Sequence, residues 1–525
     1  MALGDILGKR ALYTPDALAV VDAGKTPHRA FTYAELNARA NRLANWMRDG
    51  AGIRKGDRVA ILAMNGVEFL DTFFACTKLG AIMAPFNWRL STRELLTLIA
   101  QTTPTVLIYS DDFCATVRQI AEADTSIQHF VHLEGRGIPR SRDFERTLSE
   151  SVLRPVSLDN QHEEDIACLI FTGGTTGTPK GAQISYRMIA WNTLNTIIHD
   201  LQHGDITVNT FPMFHTGGLL VYTLPLLILG GTVILTRKFD AEQVLTLLED
   251  YGATVYAGVP TMYQMMTAAP NWAEADLSNL RFCTSGGAPL PIPLVEQFQR
   301  EKGVQFKQGF GMSEFGPGVF ALAPEDAIRK AGSIGRPNFF VEARIVDEHN
   351  RPVPPGTVGE LVLRGPSLCS GYYNNAEANA AAVDEEGWFH TGDLATMDEH
   401  FYYTIVDRKK DMFISGGENI YPTEIEQVLY QHPAVEMCAV VGVPHPKWGE
   451  VGKAFVVLKA GMTATEDDLL KHLRHFLAGY KVPHSVEFRA SLPISGAGKI
   501  LKRELIAQTA QQPSSLTHEE TTHAD

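Results

Sequence analysis

The sequence predicts an α/β protein. A large N-terminal domain of helix-covered, mainly parallel sheets with a small β unit is followed by a small α+β C-terminal domain. Three observations carry this expectation. Helical and strand patterns alternate over the first ~400 residues, which suits parallel sheets with helices on both faces. From about Val341 the texture changes to short strands and Gly/Pro turns such as Val353-Pro-Pro-Gly356. After the charged run Asp407-Arg-Lys-Lys-Asp411, apolar strands bracket helices in a last segment of roughly 110 residues.

Each element follows from local pattern. Leu36, Ala40, Leu43 and Met47 form an apolar stripe at helical spacing. Residues 58–63 read as a buried strand, 69–79 as a helix, and 105–109 and 166–170 as strands. Residues 217–236 carry no charge and match a bilayer span in length. Pro225 inside the stretch and the Gly230-Gly231 pair argue instead for a buried helix at 218–229, a turn and a core strand at 232–236. Strands at 254–258, 280–283 and 361–364 continue the alternation. In the last segment, strands at 439–443 and 454–458 accompany helices at 423–430 and 466–478. Residues 509–525 are polar and read as a disordered tail. The divisions are therefore 1–406 (β unit about 341–406), 407–411, 412–508 and 509–525.

Composition excludes more than it identifies. The 525 residues contain 46 Lys and Arg against 60 Asp and Glu, a net charge of −14, without the basic footprint of a dedicated nucleic-acid binder. With 45% hydrophobic and 20% charged residues the chain reads as soluble and globular, with no membrane span. Six scattered cysteines, none at C-x-x-C spacing, give neither a disulfide framework nor a zinc site and suit a reducing, cytoplasmic setting. Asp5 within a short apolar run makes residues 1–10 a poor signal peptide.

The most informative stretch is Phe171-Thr-Gly-Gly-Thr-Thr-Gly-Thr-Pro-Lys-Gly181, directly after an apolar strand. Glycines let consecutive backbone N–H groups converge on one anion. Thr172, Thr175, Thr176 and Thr178 add hydroxyls, and Lys180 adds a charge suited to polyphosphate. In a Walker loop Lys follows Gly directly, but here Thr178 and Pro179 intervene, so this is a different phosphate loop.

At these residues the chain resembles the adenylate-forming superfamily: acyl-CoA synthetases, peptide-synthetase adenylation domains and beetle luciferases. Further segments match in the family's order: Ser285-Gly-Gly-Ala-Pro289, Gln308-Gly-Phe-Gly-Met-Ser-Glu314, Gly387-Trp-Phe-His-Thr-Gly-Asp393, Asp407-Arg-Lys-Lys-Asp411, Ser415-Gly-Gly-Glu-Asn-Ile420 and Gly498-Lys-Ile500. Two departures, Gly173 for Ser and Ser313 for Thr, remove no needed group.

The resemblance implies that a carboxylate attacks the α-phosphate of ATP and that the thiol of coenzyme A then displaces AMP. It implies ATP and AMP contacts at Thr172, Gly173, Gly174, Thr175, Thr176, Gly177, Thr178 and Lys180, and at Gly287, Ala288 and Pro289. A third set is Gln308, Gly309, Phe310 (stacked on adenine), Gly311, Met312 and Ser313, with Asp393 on the ribose and Arg408 reaching ribose and phosphate. Glu314 is the implied Mg²⁺ ligand, helped by Thr172. Lys499 bridges the substrate carboxylate and the α-phosphate, a task suited to a compact ammonium. A mobile C-terminal domain would pivot at Lys410, after which Ser415, Gly416 and Gly417 line the pantetheine tunnel. Trp388 and His390 read as packing residues, and Lys502 and Arg503 as surface charges.

The acid itself is read from Phe211-Pro-Met-Phe-His-Thr-Gly-Gly218. Peptide-synthetase domains carry an Asp here to meet an amino group. This chain has His215, which disfavours an α-amino acid and resembles the family's gate beside the carboxylate entrance. Thr216, Gly217, Gly309 and Gly311 mark the acyl pocket. The glycines and the apolar run at 219–229 favour a medium- to long-chain fatty acid. Aryl-acid ligases also use such glycines, so an aromatic acid stays as the alternative. A luciferase-type oxygenase and a non-enzymatic nucleotide sensor rank below both. Assembly stays open between monomer and homodimer, and peripheral membrane contact stays open too.

Overall fold

A computed structural model describes residues 5–156, 158, 160–172, 179–494 and 500–511. The chain divides into two compact units. One holds residues 1–344, 362–390 and 397–404, and the other 345–361, 391–396 and 405–525. The strands Glu342–Val346 and Phe389–Met397 each contribute residues to both.

The first unit is α/β with mainly parallel sheets. Its seven-stranded sheet runs Arg142–Asp143, His129–His132, Val106–Tyr109, Arg58–Leu62, Ile82–Pro85, Ile166–Thr172, Lys180–Ser185. All its pairs are parallel except the last, which is antiparallel. A five-stranded sheet starts with the parallel strands Val255–Gly258, Phe282–Gly286 and Gln305–Met312, then turns antiparallel at Gly316–Leu322. A four-stranded sheet places Thr232–Leu235 between Ile206–Asn209 and Leu18–Asp22.

Local chemistry sets the helices. In Tyr33–Asp49, Thr32 and Glu35 close a reciprocal capping box, and the stripe Leu36, Ala40, Leu43, Met47 is fully buried. Helix Val67–Leu79 ends at Gly80, in the left-handed region at φ 66°. The run expected as one helix over 218–229 is two, Thr216–Leu220 and Thr223–Leu229, broken at Val221-Tyr222. The break lies before Pro225, which in second place after Thr223 sits in the first turn that tolerates it. The strand follows at Thr232–Leu235. No helix among the described residues is long and apolar enough to cross a membrane.

The second unit centres on an antiparallel pair, Val435–His445 with Gly449–Leu458. Phe413–Ser415 and Glu418–Ile420 extend it on one side, and Ser485–Phe488 pairs parallel with Gly449–Leu458. Helices Pro422–Leu429 and Glu466–Phe476 bury Ile425, Leu429, Leu469 and Leu473 against Val440, Ala454 and Val456. Helix Lys502–Gln511 carries the register past 508.

Candidate active site

The phosphate loop is the connection of a hairpin. Thr172 ends one strand and Lys180 begins its antiparallel partner, directly opposite each other, and the Thr172 hydroxyl donates to the Lys180 carbonyl at 3.3 Å. Gly173, Gly174, Thr175, Thr176, Gly177 and Thr178 lie outside the described residues. Segment 370–373 runs alongside the second strand as a backbone strap: Gln183 N donates to Gly371 O at 2.9 Å, and Tyr373 N to Gly181 O at 2.8 Å.

That strap delivers Tyr372 between two charges. Its hydroxyl donates to Glu314 Oε1 at 2.9 Å, and the Lys180 ammonium stands 5.0 Å from its ring centroid. The Glu314 carbonyl accepts from Cys369 N at 2.7 Å, so the acid is tied to the strap by backbone as well. Burial and the Glu314 charge push the Tyr372 phenol far above its ordinary value, so it acts as a donor. No group of three or more His, Cys, Asp or Glu placed to hold a metal ion occurs among the described residues. One carboxylate and the Thr172 hydroxyl fit Mg²⁺, a hard ion that takes its remaining ligands from phosphate and water.

The strands Phe282–Gly286 and Gln305–Met312 set Ser285 opposite Gln308 and Gly286 opposite Gly309. Gln308 is buried, and its amide joins two loops: Oε1 accepts from Leu290 N at 3.2 Å and Nε2 donates to Ser333 O at 3.0 Å. Its side chain thus positions the wall formed by the exposed residues Gly287, Ala288 and Pro289. Ser285 Oγ is fully buried with no hydrogen-bond partner among the described residues. Phe310 is half-buried, edge-on to Phe320 at 5.8 Å, with Met312 and the buried Ser313 beyond it.

The glycines separate into two kinds. A Cβ on Gly311 would stand 2.4 Å from Pro317 Cα, and one on Gly218 2.3 Å from Pro212 O, so backbone contact demands both. At Gly309 the nearest atom would be Thr284 Cγ2 at 3.8 Å, and at Gly217 His215 Nδ1 at 3.5 Å, ordinary van der Waals contact that a methyl group could make without displacing a neighbour.

His215 caps helix Thr216–Leu220, its Nδ1 accepting from Gly217 N at 3.2 Å. Thr216 is buried behind it. Two buried asparagines lace the loop: Asn65 bonds Phe211 O and Met213 N, each at 2.9 Å, and Asn209 bonds Phe211 N and Gly218 O. Sequence reasoning missed Asn65, Asn209 and Tyr372. Their signal was a polar residue ending an apolar run for the asparagines and the Gly371-Tyr-Tyr373 triplet for the tyrosine.

In the second unit the buried Asp393 pairs with the Arg408 guanidinium at 2.5 Å. Lys410 is exposed. Gly416 (φ 59°) and Gly417 (φ 90°) form the two-residue turn between Phe413–Ser415 and Glu418–Ile420. The left-handed conformation of both is the reason for glycine there. Lys502, expected as a surface charge, is largely buried and pairs with Glu426 at 2.8 Å. In the first unit Trp388 packs between the guanidinium groups of Arg344 and Arg364, and His390 stands 3.6 Å from Asp384. Lys499 lies outside the described residues.

Family models decide the identity. The AMP-binding enzyme model matches residues 7–373, and its C-terminal domain model matches 424–499. The chain belongs to the AMP-binding enzymes. A feruloyl-CoA synthase from Amycolatopsis is 44% identical over 96% of this chain and 98% of its own. A long-chain-fatty-acid–CoA ligase from Escherichia coli is 32% identical over 96% of this chain and 94% of its own. The ATP-bound MatB structure from Rhodopseudomonas palustris aligns at TM-score 0.87 and 30% identity, covering 97% of this chain and 99% of that one. This AMP-binding enzyme is an acid–thiol ligase, an ATP-dependent acyl-CoA ligase of the adenylate-forming superfamily. ATP and coenzyme A are its co-substrates.

Proposed function

We propose that this ligase activates an aryl acid of the hydroxycinnamate type through an acyl-adenylate. The observation that carries the choice is the 44% identity to a feruloyl-CoA synthase over nearly the whole chain, against 32% to a fatty-acid ligase. In this reading the phosphate hairpin and Lys180 hold the polyphosphate, Glu314 and Thr172 hold Mg²⁺, and Asp393 and Arg408 meet the ribose. Bound Mg²⁺ would neutralise phosphate charge, and Tyr372 would orient the Glu314 carboxylate toward it. Lys499 serves adenylation, Lys410 the change between half-reactions, and Ser415, Gly416 and Gly417 the thiol path.

A long apolar acyl group is the second reading, favoured by the uncharged helix Thr223–Leu229. AMP release measured with cinnamate, ferulate, decanoate and palmitate tests the choice. Ferulate and cinnamate are expected to exceed both fatty acids in kcat/KM. Turnover of fatty acids alone would overturn the aryl reading.

A further inference from the structure

Tyr222 stands at the break between the two short helices that follow His215, and its hydroxyl lies 2.6 Å from Thr284 Oγ1. Thr284 belongs to the strand beside Gly309. Its γ-methyl lies beside that glycine, 3.8 Å from where a Cβ would sit. Tyr263 Oη donates to the Thr284 carbonyl at 2.7 Å and fixes the strand there. Two hydroxyls that bond each other use one hydrogen between them. The second hydrogen has no acceptor among the described residues; Tyr222 is buried and Thr284 half-buried. A buried donor without an acceptor is unfavourable, and an incoming oxygen relieves it.

We propose that the Tyr222–Thr284 hydroxyl pair is a specificity-determining element that recognises an oxygen substituent on the substrate's ring. This inference rests on the aryl-acid reading and deepens it. Tyr222 follows His215 by seven residues. The helical residues Thr216–Leu220 between them span ~7 Å, comparable with the reach of a hydroxycinnamate from its carboxylate to its para oxygen. With the carboxylate beside His215, the ring lies over Gly309 and its hydroxyl or methoxy oxygen meets the pair. An unsubstituted ring leaves the spare donor unmet, which is how a polar site rejects the analogue lacking the oxygen.

The test is the ratio of kcat/KM for 4-hydroxycinnamate over cinnamate in the full chain with ATP and CoA. A ratio within one variant is independent of its folded fraction. Wild type is expected to prefer the hydroxylated acid by about tenfold or more. Thr284→Val and Tyr222→Phe together, which keep shape and remove both hydroxyls, are expected to bring the ratio close to one. Thr284→Ser, which keeps the hydroxyl, should retain the preference. An unchanged ratio in the double variant would overturn the pair's role while leaving the aryl reading intact. A wild type that turns over fatty acids and neither cinnamate overturns the aryl reading, and the inference with it.

Discussion

Gly309 and Gly311 are two residues apart on one strand, and sequence alone assigns both to the same pocket. The structure gives them different reasons. At Gly311 the facing backbone leaves no room for a methyl group, whereas one on Gly309 would meet its neighbours at ordinary van der Waals distance. Gly311→Ala is therefore expected to cost ~1–3 kcal/mol, read as a lower Tm. Gly309→Ala should leave Tm unchanged and shift the preference among acids. Gln308 shows the same limit of legibility. Its place in the motif was readable, but its role as a brace between Leu290 and Ser333 depends on loops distant in sequence. Gln308→Ala should cost ~2 kcal/mol through two buried backbone groups left unpaired, measured by denaturant unfolding.

Among elements, helix Val67–Leu79 was legible as a helix from its apolar run, but its charges were not legible as buried. Every one of its residues is buried, Glu68 included. Burial drives the Glu68 carboxyl from its ordinary 4.5 up to about 7, against the pull of Lys25. A raised acid contributes stability below its unfolded value, and that contribution fades as pH climbs from 4.5 through about 7. Gln does not titrate. The stability of Glu68→Gln relative to wild type should thus rise between pH 5 and pH 8 by on the order of 2–3 kcal/mol. Thermal melts across that range check it, and a constant difference would contradict it. The break at Val221-Tyr222 was not legible either, because the apolar run around Pro225 fits one buried helix as well as two.

For the whole molecule, alternation of helix and strand predicted the α/β class, and motif order predicted the family, because phosphate chemistry confines those residues to short contiguous runs. Boundaries were less legible, since residues 345–361 and 391–396 join the second unit by contacts distant in sequence. The assigned division of labour has its own test. Lys499→Ala is expected to abolish carboxylate-dependent pyrophosphate exchange while retaining much thioester formation from supplied acyl-adenylate. Lys410→Pro should do the reverse. Equal losses in both half-reactions would refute the assignment.

Asp393 is 1% exposed and already holds a guanidinium. On the proposed ribose reading, the guanidinium compensates that interior carboxylate and would meet the sugar beside it. Nucleotide would then settle onto groups that already hold one another in place. Arg408→Ala is expected to lower Tm and to weaken the thermal protection that AMP confers, whereas unchanged protection would contradict a role for Arg408 at the sugar.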